Sequence, residues 1–325
     1  MRTTRASRLA LIAAGLAAAI VASACSSSPA PSNPAAPAQT HVTVAVVPIV
    51  DAVPYFLAVK EGYFKQAGLD VKTLVVAQST QALPDLLRGS VQIVSAANYV
   101  SFLSAQAHGV ANLNIVAPNS SCATNTNTVL AMPNSKIKTP ADLAGKTIAV
   151  NINPDIQTIQ IGAVLKADNV NPSSVTFTTI PFPDMPAKLA SGGVDAISEV
   201  EPFITAAETK YGAVPVLQQC SGPTSGVPLG GNFALQSWVQ KNRKTALAFQ
   251  RAMEKGNALA NRDRTAVEKI IPTYIKAITP QEAALLNLDD FPTTQDTTQV
   301  QRIADLMVSG GMLKKRLDVN PLMLK

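Results

Sequence analysis

The sequence predicts an α/β protein made of two similar units in succession, followed by a helical C-terminal part. Residues 42–47 are mostly valine, which is typical of a buried strand, and a helical pattern begins near Pro54. The same order of strand, polar corner and helix starts again at Thr147. After Leu235 only helical patterns follow. Strands that alternate with helices in this way predict sheets with helices on their faces.

Residues 1–24 have the pattern of a signal peptide. Arg2, Arg5 and Arg8 precede an uncharged apolar run over residues 9–22, and small residues lead up to Cys25. This order is similar to a bacterial lipobox, in which Cys25 is lipidated, with palmitate among its acyl chains, and becomes the new N-terminus. Ala22 stands where a lipobox usually has leucine. The alternative is a plain secretory cleavage after Ala24.

Residues 25–40 are rich in Ser, Pro and Ala, and residues 26–40 carry no charge. Such a stretch cannot bury a core and is predicted to be a tether. The remaining chain of about 285 residues suffices for one large or two ordinary domains. Without the three arginines of the signal segment, 24 basic residues stand against 21 acidic ones. This weak, scattered positive charge argues against a nucleic-acid partner.

The first unit opens as strand, helix and strand. An apolar face at helical spacing includes Phe56, Tyr63 and Phe64, and Gly68 stands where a helix C-terminal cap is expected. A second apolar run follows over residues 69–77. This is a βαβ opening.

Residues 54–64, PYFLAVKEGYF, and residues 68–71, GLDV, resemble the nitrate/sulfonate/taurine and thiamine-precursor binding proteins of ABC importers. Residues 140–150, PADLAGKTIAV, match a second phrase of that family, and residues 198–202 resemble its Trp-Glu-Pro turn, with Val200 in place of Trp. The family usually has Asp where this chain has Gln92.

The resemblance implies a two-lobed fold of the type II periplasmic-binding-protein kind. Each lobe would be a mixed sheet flanked by helices, and the chain would cross between the lobes twice. Lobe 1 is predicted to comprise residues 41–127 and 233–325, and lobe 2 residues 128–232. In the C-terminal part we predict helices over residues 238–261, 266–277, 280–288 and 297–309.

Ligands of open α/β sheets bind beyond the carboxyl ends of the strands. Polar residues follow several predicted strands here, next to helix starts whose free N–H groups can also hold a ligand. The candidate ligand-binding residues are Asp51, Tyr55, Ser79, Thr80, Ser95, Asn98, Asp155, Thr158, Asp184, Glu199 and Glu201. Glu199 and Glu201 point to the same side if their stretch is extended, and we favour them as ligand contacts, with Asp51 next.

Each candidate also has a purely structural interpretation. Ser79, Thr80, Ser95 and Asn98 are typical helix N-caps. Tyr55 is equally typical of a hydrophobic core, and Asp51 is equally typical of a turn. Glu199 and Glu201 could lie on a solvent-exposed rim.

The charge of the predicted site favours a neutral or amine-bearing organic solute over an inorganic anion. The turns between predicted strands and helices that hold the candidate residues contain five acidic residues and no Arg or Lys. Anion sites commonly use a cationic partner, although helix N-termini alone can hold an anion.

Cys122 and Cys220 remain as one pair in an exported protein, which favours a disulfide; two separate buried thiols are the alternative. His41 and His108 lack the spacing of a Cys/His metal site and lack neighbours that would form a nucleophile–base pair. We therefore predict no catalytic residue, no metal site and no cofactor.

The resemblance implies a monomeric, extracytoplasmic solute-binding lipoprotein, held on the cell membrane by its lipid anchor. It would pass its solute to an ABC permease and the associated ATPase. A lipoprotein that senses or presents a ligand is an alternative, and so is an enzyme like the thiamine-pyrimidine synthases of the same family. Those synthases use a Cys-rich motif that this chain lacks.

The lipobox interpretation predicts the effect of replacing Cys25. Cys25→Ala removes the sulfur that would carry the lipid, so the protein should move from the membrane fraction to the medium. Immunoblotting of both fractions measures this. A variant that stays with the membrane would contradict the anchor, and Cys220→Ala is the control for loss of a different cysteine.

Overall fold

The computed structural model describes residues 40–324. The predicted signal peptide, Cys25 and nearly all of the predicted tether lie outside the described residues. Thr40, the last residue of that tether, already belongs to the first strand. None of the helices in the described part of the chain is long and apolar enough to cross a membrane.

Two five-stranded mixed sheets form the framework. The strands of the first sheet are β1 (Thr40–Val46), β2 (Leu69–Val75), β3 (Ile93–Asn98), β4 (Leu113–Ser121) and β10 (Pro228–Leu235), in the spatial order β2-β1-β3-β10-β4. The strands of the second are β5 (Asn127–Ala131), β6 (Thr147–Val150), β7 (Thr176–Thr179), β8 (Ala196–Val200) and β9 (Val214–Gln218), in the order β7-β6-β8-β5-β9. In each sheet the fourth strand runs antiparallel to both of its neighbours.

Helices connect and cover the strands. They are α1 (Val53–Lys60), α2 (Tyr63–Gln66), α3 (Leu83–Arg88), α4 (Tyr99–Ala107), α5 (Ile156–Ala167), α6 (Met185–Ala190), α7 (Phe203–Tyr211), α8 (Gln236–Lys241), α9 (Arg243–Arg262), α10 (Arg264–Tyr274), α11 (Pro280–Ala283) and α12 (Thr297–Ser309). We call the first sheet with the helices packed on it lobe 1, and the second sheet with its helices lobe 2.

Both faces of each sheet are buried under helices. In lobe 1, Tyr55 of α1 and Phe249 of α9 belong to the core on one face, while Phe102 of α4 and Ile303 of α12 belong to the core on the other. In lobe 2, α6 and α7 cover one face and α5 covers the other. Sheets buried on both faces have apolar strands, as the valines of β1 indicated. The α/β prediction is confirmed.

Two short segments connect the lobes, one between β4 and β5 and the other between β9 and β10. Cys122 lies in the first segment and Cys220 in the second, and a disulfide joins them with their Cα atoms 5.4 Å apart. The predicted disulfide is therefore present, and it ties the two crossovers to each other.

The return to lobe 1 comes earlier than the sequence suggested. The predicted boundary between residues 232 and 233 falls inside β10, which pairs with β4 of the first sheet from Pro228 onward. β4 itself was not predicted, because its sequence LNIVAPNSS mixes apolar residues with Asn, Pro and Ser.

Three predicted elements also differ in extent. Residues 95–98, in which both Ser95 and Asn98 were interpreted as possible helix N-caps, continue β3, and only Asn98 caps α4. The helix predicted over residues 238–261 is divided at Asn242 into α8 and α9. The helix predicted over residues 280–288 ends at Ala283, and the chain beyond it turns toward the junction of the lobes.

The position of the disulfide predicts its contribution to stability. It closes a loop with a sequence separation of 98 residues, and cross-links of that size typically contribute about 2–4 kcal/mol by restricting the unfolded chain. The double variant Cys122→Ala, Cys220→Ala should lose a free energy of unfolding of that order in urea denaturation. Reduced wild-type protein is the control and should unfold at the same urea concentration as the double variant. An unchanged unfolding midpoint would contradict the prediction.

Candidate functional site

A small cavity of about 40 Å³ lies between the lobes. It is placed at the carboxyl ends of β1 and β3 in lobe 1 and of β6 and β8 in lobe 2, where open α/β sheets bind ligands. Lobe 1, including its strand β10, lines it with Val47, Ile49, Asp51, Ser79, Ala96, Asn98 and Leu229. Lobe 2 lines it with Asn127, Asn151, Ile152, Asp155, Ile156, Gln157, Phe182 and Val200.

Hydrogen bonds across the cleft hold the lobes against each other. The Asn98 side-chain oxygen accepts from the Ile156 N–H at 3.2 Å, and the Ser101 hydroxyl donates to the Pro154 carbonyl at 3.1 Å. The Val50 N–H donates to the Glu201 carbonyl at 3.2 Å. The structure is therefore a closed form in which each lobe contacts the opposite wall of the cavity.

Asp51 is fixed at the base of the cavity from the lobe 1 side. It is 7 % exposed, and its Oδ2 accepts from the Ser120 hydroxyl at 2.7 Å. Gly230 passes so close that a Cβ at that position would lie 3.1 Å from the same oxygen. A side chain at position 230 would therefore press on the Asp51 carboxyl group.

Ser79 and Asn98 combine structural roles with a place in the lining. The Ser79 hydroxyl accepts from the Asn98 N–H at 3.3 Å, and the Asn98 side chain caps α4 by accepting from the Ser101 N–H. Both residues also line the cavity. For Asn98 the capping interpretation and the lining interpretation hold together, whereas Ser79 lines the cavity without capping a helix, because Gln78 is the N-cap of the short turn that Ser79 begins.

Asp155 begins α5 at the lobe 2 wall. Its Oδ1 accepts from the Thr158 N–H at 2.9 Å, and the Thr158 hydroxyl accepts from the Asp155 N–H at 3.0 Å, which is a capping box. Asp155 lines the cavity, whereas Thr158 does not. Burial raises the pKa of Asp155 to about 7, against the opposing effect of these hydrogen bonds.

Two amide side chains missing from the predicted site have unused hydrogen-bonding atoms. The side-chain oxygen of Asn127 and the side-chain NH₂ of Asn151 are buried without a partner, and both residues line the cavity. Buried polar atoms without partners are rare and mark places where a ligand or water can bind. The polar stretch that follows β6 is a signal that could have identified Asn151, but nothing local marks Asn127 at the start of a strand.

Several predicted site residues do not line the cavity. Tyr55 is a core residue whose hydroxyl shares a hydrogen bond with Thr73 at 2.7 Å. The Ser95 hydroxyl accepts from Asn119 inside lobe 1. Thr80 is half-buried in a turn beside the cleft, and Asp184 is exposed at the outer rim of lobe 2. Tyr55 fits the core interpretation, whereas Ser95 lies inside β3 and is neither a helix N-cap nor part of the cavity lining.

Glu199 and Glu201, the favoured pair, are also corrected. Glu201 accepts from the Thr205 N–H and hydroxyl and from the Asn287 N–H, at distances of 2.9–3.1 Å. Glu199 is fully buried in β8. Neither lines the cavity, because Val200, which lies between them, does so and successive side chains of an extended chain point to opposite sides.

The profile of the protein family described as NMT1/THI5 like matches residues 50–264. The chain belongs to the NMT1/THI5-like family. The predicted relationship to this group of proteins is confirmed. No curated protein matches the sequence.

Solved structures share the fold of this NMT1/THI5-like protein. The aliphatic sulphonate binding protein SsuA from Escherichia coli has a TM-score of 0.69 at 19 % identity, over 87 % of this chain and 97 % of that one. The alkanesulfonate-binding protein SsuA from Xanthomonas axonopodis pv. citri, bound to MOPS, has a TM-score of 0.73 at 21 % identity, over 89 % and 99 %. The nitrate-binding protein NrtA from Synechocystis PCC 6803 has a TM-score of 0.74 at 15 % identity, over 88 % and 86 %. The predicted periplasmic-binding-protein fold is confirmed.

Behind its cavity, the NMT1/THI5-like protein buries several acidic groups. Asp289, 7 % exposed, interacts with Asp51, and burial together with the Asp51 charge raises the pKa of Asp289 well above its ordinary value. Burial also raises the pKa of Asp51 and that of Glu201. We call Asp51, Glu199, Glu201 and Asp289 the buried acidic group.

The buried acidic group has no metal-binding geometry. Within residues 40–324, no set of three or more His, Cys, Asp or Glu side chains is arranged to hold a metal ion. Both carboxyl oxygens of Glu199 lack a hydrogen-bond partner, and burial raises its pKa well above the ordinary value. Protonation of the Glu199 carboxyl group is how its burial is tolerated without a cation.

The raised pKa of Asp155 predicts how stability depends on pH. Because the folded state holds this proton up to about pH 7 while an unfolded Asp releases it near 3.8, the contribution is complete below about pH 4 and is lost as pH rises through 7. Asp155→Asn keeps an N-cap side chain and removes the titration. Between pH 5 and 8 the wild type should lose about 2–3 kcal/mol more than the variant, as measured by urea denaturation. Identical pH profiles would show that Asp155 does not titrate in this range.

Proposed function

We propose that this protein is an extracytoplasmic solute-binding lipoprotein that captures a small organic solute between its lobes and delivers it to an ABC import permease. The observation that carries the proposal is the cavity at the carboxyl ends of four strands, closed by both lobes and lined by amide atoms without partners. Family membership supports a solute-binding role. Structures of the same fold are described as sulfonate-binding and nitrate-binding proteins.

The lining of the cavity favours binding over catalysis. None of the residues that line the cavity is Cys, His, Lys or Arg. Cys122 and Cys220 are joined to each other, His41 pairs with Asp70 at the surface, and His108 is exposed at the end of α4, so neither kind of side chain is available to act as a nucleophile or base in the cavity.

The solute that fits this lining is neutral or amine-bearing. Asp51 and Asp155 are the ionisable side chains of the cavity, and the free amide groups of Asn127 and Asn151 can accept and donate. A carboxylate facing a closed cavity needs a donor, which an ammonium or amino group on the solute would provide. A sulfonate or nitrate would instead meet two acidic side chains, and we propose that such anions are disfavoured.

Capture of a solute requires that the two lobes close around it, and its delivery requires that the protein lie beside the permease. Two crossovers between lobes suit hinge closure around a solute, and a solute that binds the closed form shifts the population toward it. We propose that a lipid on Cys25 holds the protein, as a monomer, on the outer face of the cell membrane beside the permease and its ATPase.

A thermal-shift screen of small amines, amino-pyrimidines, amino acids, taurine, alkanesulfonates and nitrate tests the proposed binding role. A solute that binds the folded state raises the melting temperature as its concentration increases. If no compound at any concentration shifts melting, the proposed role is contradicted. A hit confined to sulfonates or nitrate would retain the binding role and overturn the preference for an amine.

Asp51→Asn tests whether Asp51 contacts the solute that the screen identifies. The side-chain oxygen of the introduced asparagine can still accept from Ser120, so the fold should be retained while the charge is lost. Affinity for an amine-bearing solute should fall by more than about tenfold, or 1.4 kcal/mol, in isothermal titration calorimetry. Glu201→Gln makes the same chemical change outside the cavity and should leave affinity within about twofold. Equal losses in both variants would contradict this assignment of the contact.

A further inference from the structure

An apolar groove extends from the cleft toward the outer edge of both sheets. It has a volume of about 400 Å³. Lobe 1 contributes Val75 and Val76 at the end of β2, and lobe 2 contributes Phe182 and Phe203. The rings of Phe182 and Phe203 lie nearly parallel, with their centroids 6.0 Å apart and an interplanar angle of 11°. The groove therefore has an aliphatic wall and an aromatic wall.

The groove and the cavity adjoin each other. Val47, Ile49 and Phe182 line both of them. The strand order explains this arrangement, because the ends of β1, β3, β6 and β8 surround the cavity, while the groove lies at the ends of the edge strands β2 and β7 beside them. A solute held in the cavity therefore lies next to the groove.

The two spaces differ in size and chemistry. The cavity, with its volume of about 40 Å³ and its carboxyl and amide groups, has room for about three water-sized groups. The groove is larger and, apart from Asp184 at its rim, is lined by Val, Ile, Ala, Pro and Phe. A compact polar solute would fill the cavity alone and leave this apolar surface exposed to water.

We propose that the solute is amphiphilic, with a compact donor-bearing head between Asp51 and the amides of the cavity and an aliphatic or aromatic tail in the groove. This inference rests on the proposed binding function and specifies the class of its solute. The tail would contact Val75 and Val76 of lobe 1 and Phe182 and Phe203 of lobe 2 at once, so that it would stabilise the closed form as well as add affinity. The position of the groove directly beside the candidate site, with three lining residues in common, is what assigns it to the same solute rather than to a separate partner.

Linear alkylamines are the probes for this proposal. Ethylamine, butylamine, hexylamine and octylamine share one head group and differ only in the length of the tail, and hexanol and hexanesulfonate keep a tail and change the head. Each methylene that enters an apolar groove should raise affinity by up to about fourfold, from a burial free energy of about 0.8 kcal/mol per CH₂. Isothermal titration calorimetry of the full chain measures each affinity, and hexylamine should bind more tightly than hexanol or hexanesulfonate.

Val75→Asn places a polar side chain in the groove wall, and Val110→Asn is its matched control. The two valines are 56 % and 55 % exposed, so neither change should disturb the core, and Val110 lies outside the groove. Val75→Asn should reduce the ratio of octylamine to butylamine affinity by at least about threefold, whereas Val110→Asn should leave that ratio unchanged.

The outcomes separate this inference from the proposed function. Affinity that rises with tail length and depends on Val75 supports both. If the solute screen finds a compact solute that binds tightly, and alkylamine affinity does not depend on tail length, the binding function stands and the amphiphile is overturned. If the dependence on tail length is the same in both valine variants, the groove is not the tail site. If neither the screen nor the alkyl series shows binding, both proposals are overturned.

Discussion

Carboxyl groups buried where the two lobes meet require hydrogen-bond donors, and this requirement ties together segments that lie far apart in the chain. Asp51 accepts from Ser120 of β4, and Glu201 accepts from Asn287 in the stretch that follows α11. Removing a donor from a buried acceptor typically costs about 1–3 kcal/mol, so each of these pairs constrains the path of the backbone around it. The position of the β1 corner, the start of α7 and the return of the C-terminal part all follow from these contacts.

The same contacts determine which acidic groups a solute can reach. Glu201 has its oxygens occupied by Thr205 and Asn287. Asp51 is held by Ser120 and Asp289, but it remains in the cavity lining. Asp155 is held at the start of α5 by its capping box. Only some of the acidic residues at the edge of the cleft can therefore contact a solute, because hydrogen bonds within the fold occupy the others.

Most of the fold could be predicted from local pattern, since the valines of β1, the turn at Gly68 and the repeated strand–helix order each have a direct physical meaning. β4 could not, because its Asn119 and Ser120 look like loop residues in sequence and are buried only through partners such as Asp51 and Ser95. In the site, Asp51, Ser79, Asn98 and Asp155 were predictable from their places after strands. The roles of Glu201 and Asp289 were not, because their partners, such as Asn287 and Asp51, lie in distant parts of the chain.

The disulfide has a consequence for the modular character of the chain. Its two cysteines lie just outside β5 and β9, so every strand of the second sheet belongs to one covalently closed ring, inserted into lobe 1 through two adjacent attachment points. A protease that cut a single loop of this ring would not separate the pieces. Lobe 2 is thus connected to the rest of the chain as an inserted domain that can be exchanged. Another domain whose termini lie close together could replace it between the same cysteines, leaving lobe 1 and its C-terminal helices in place.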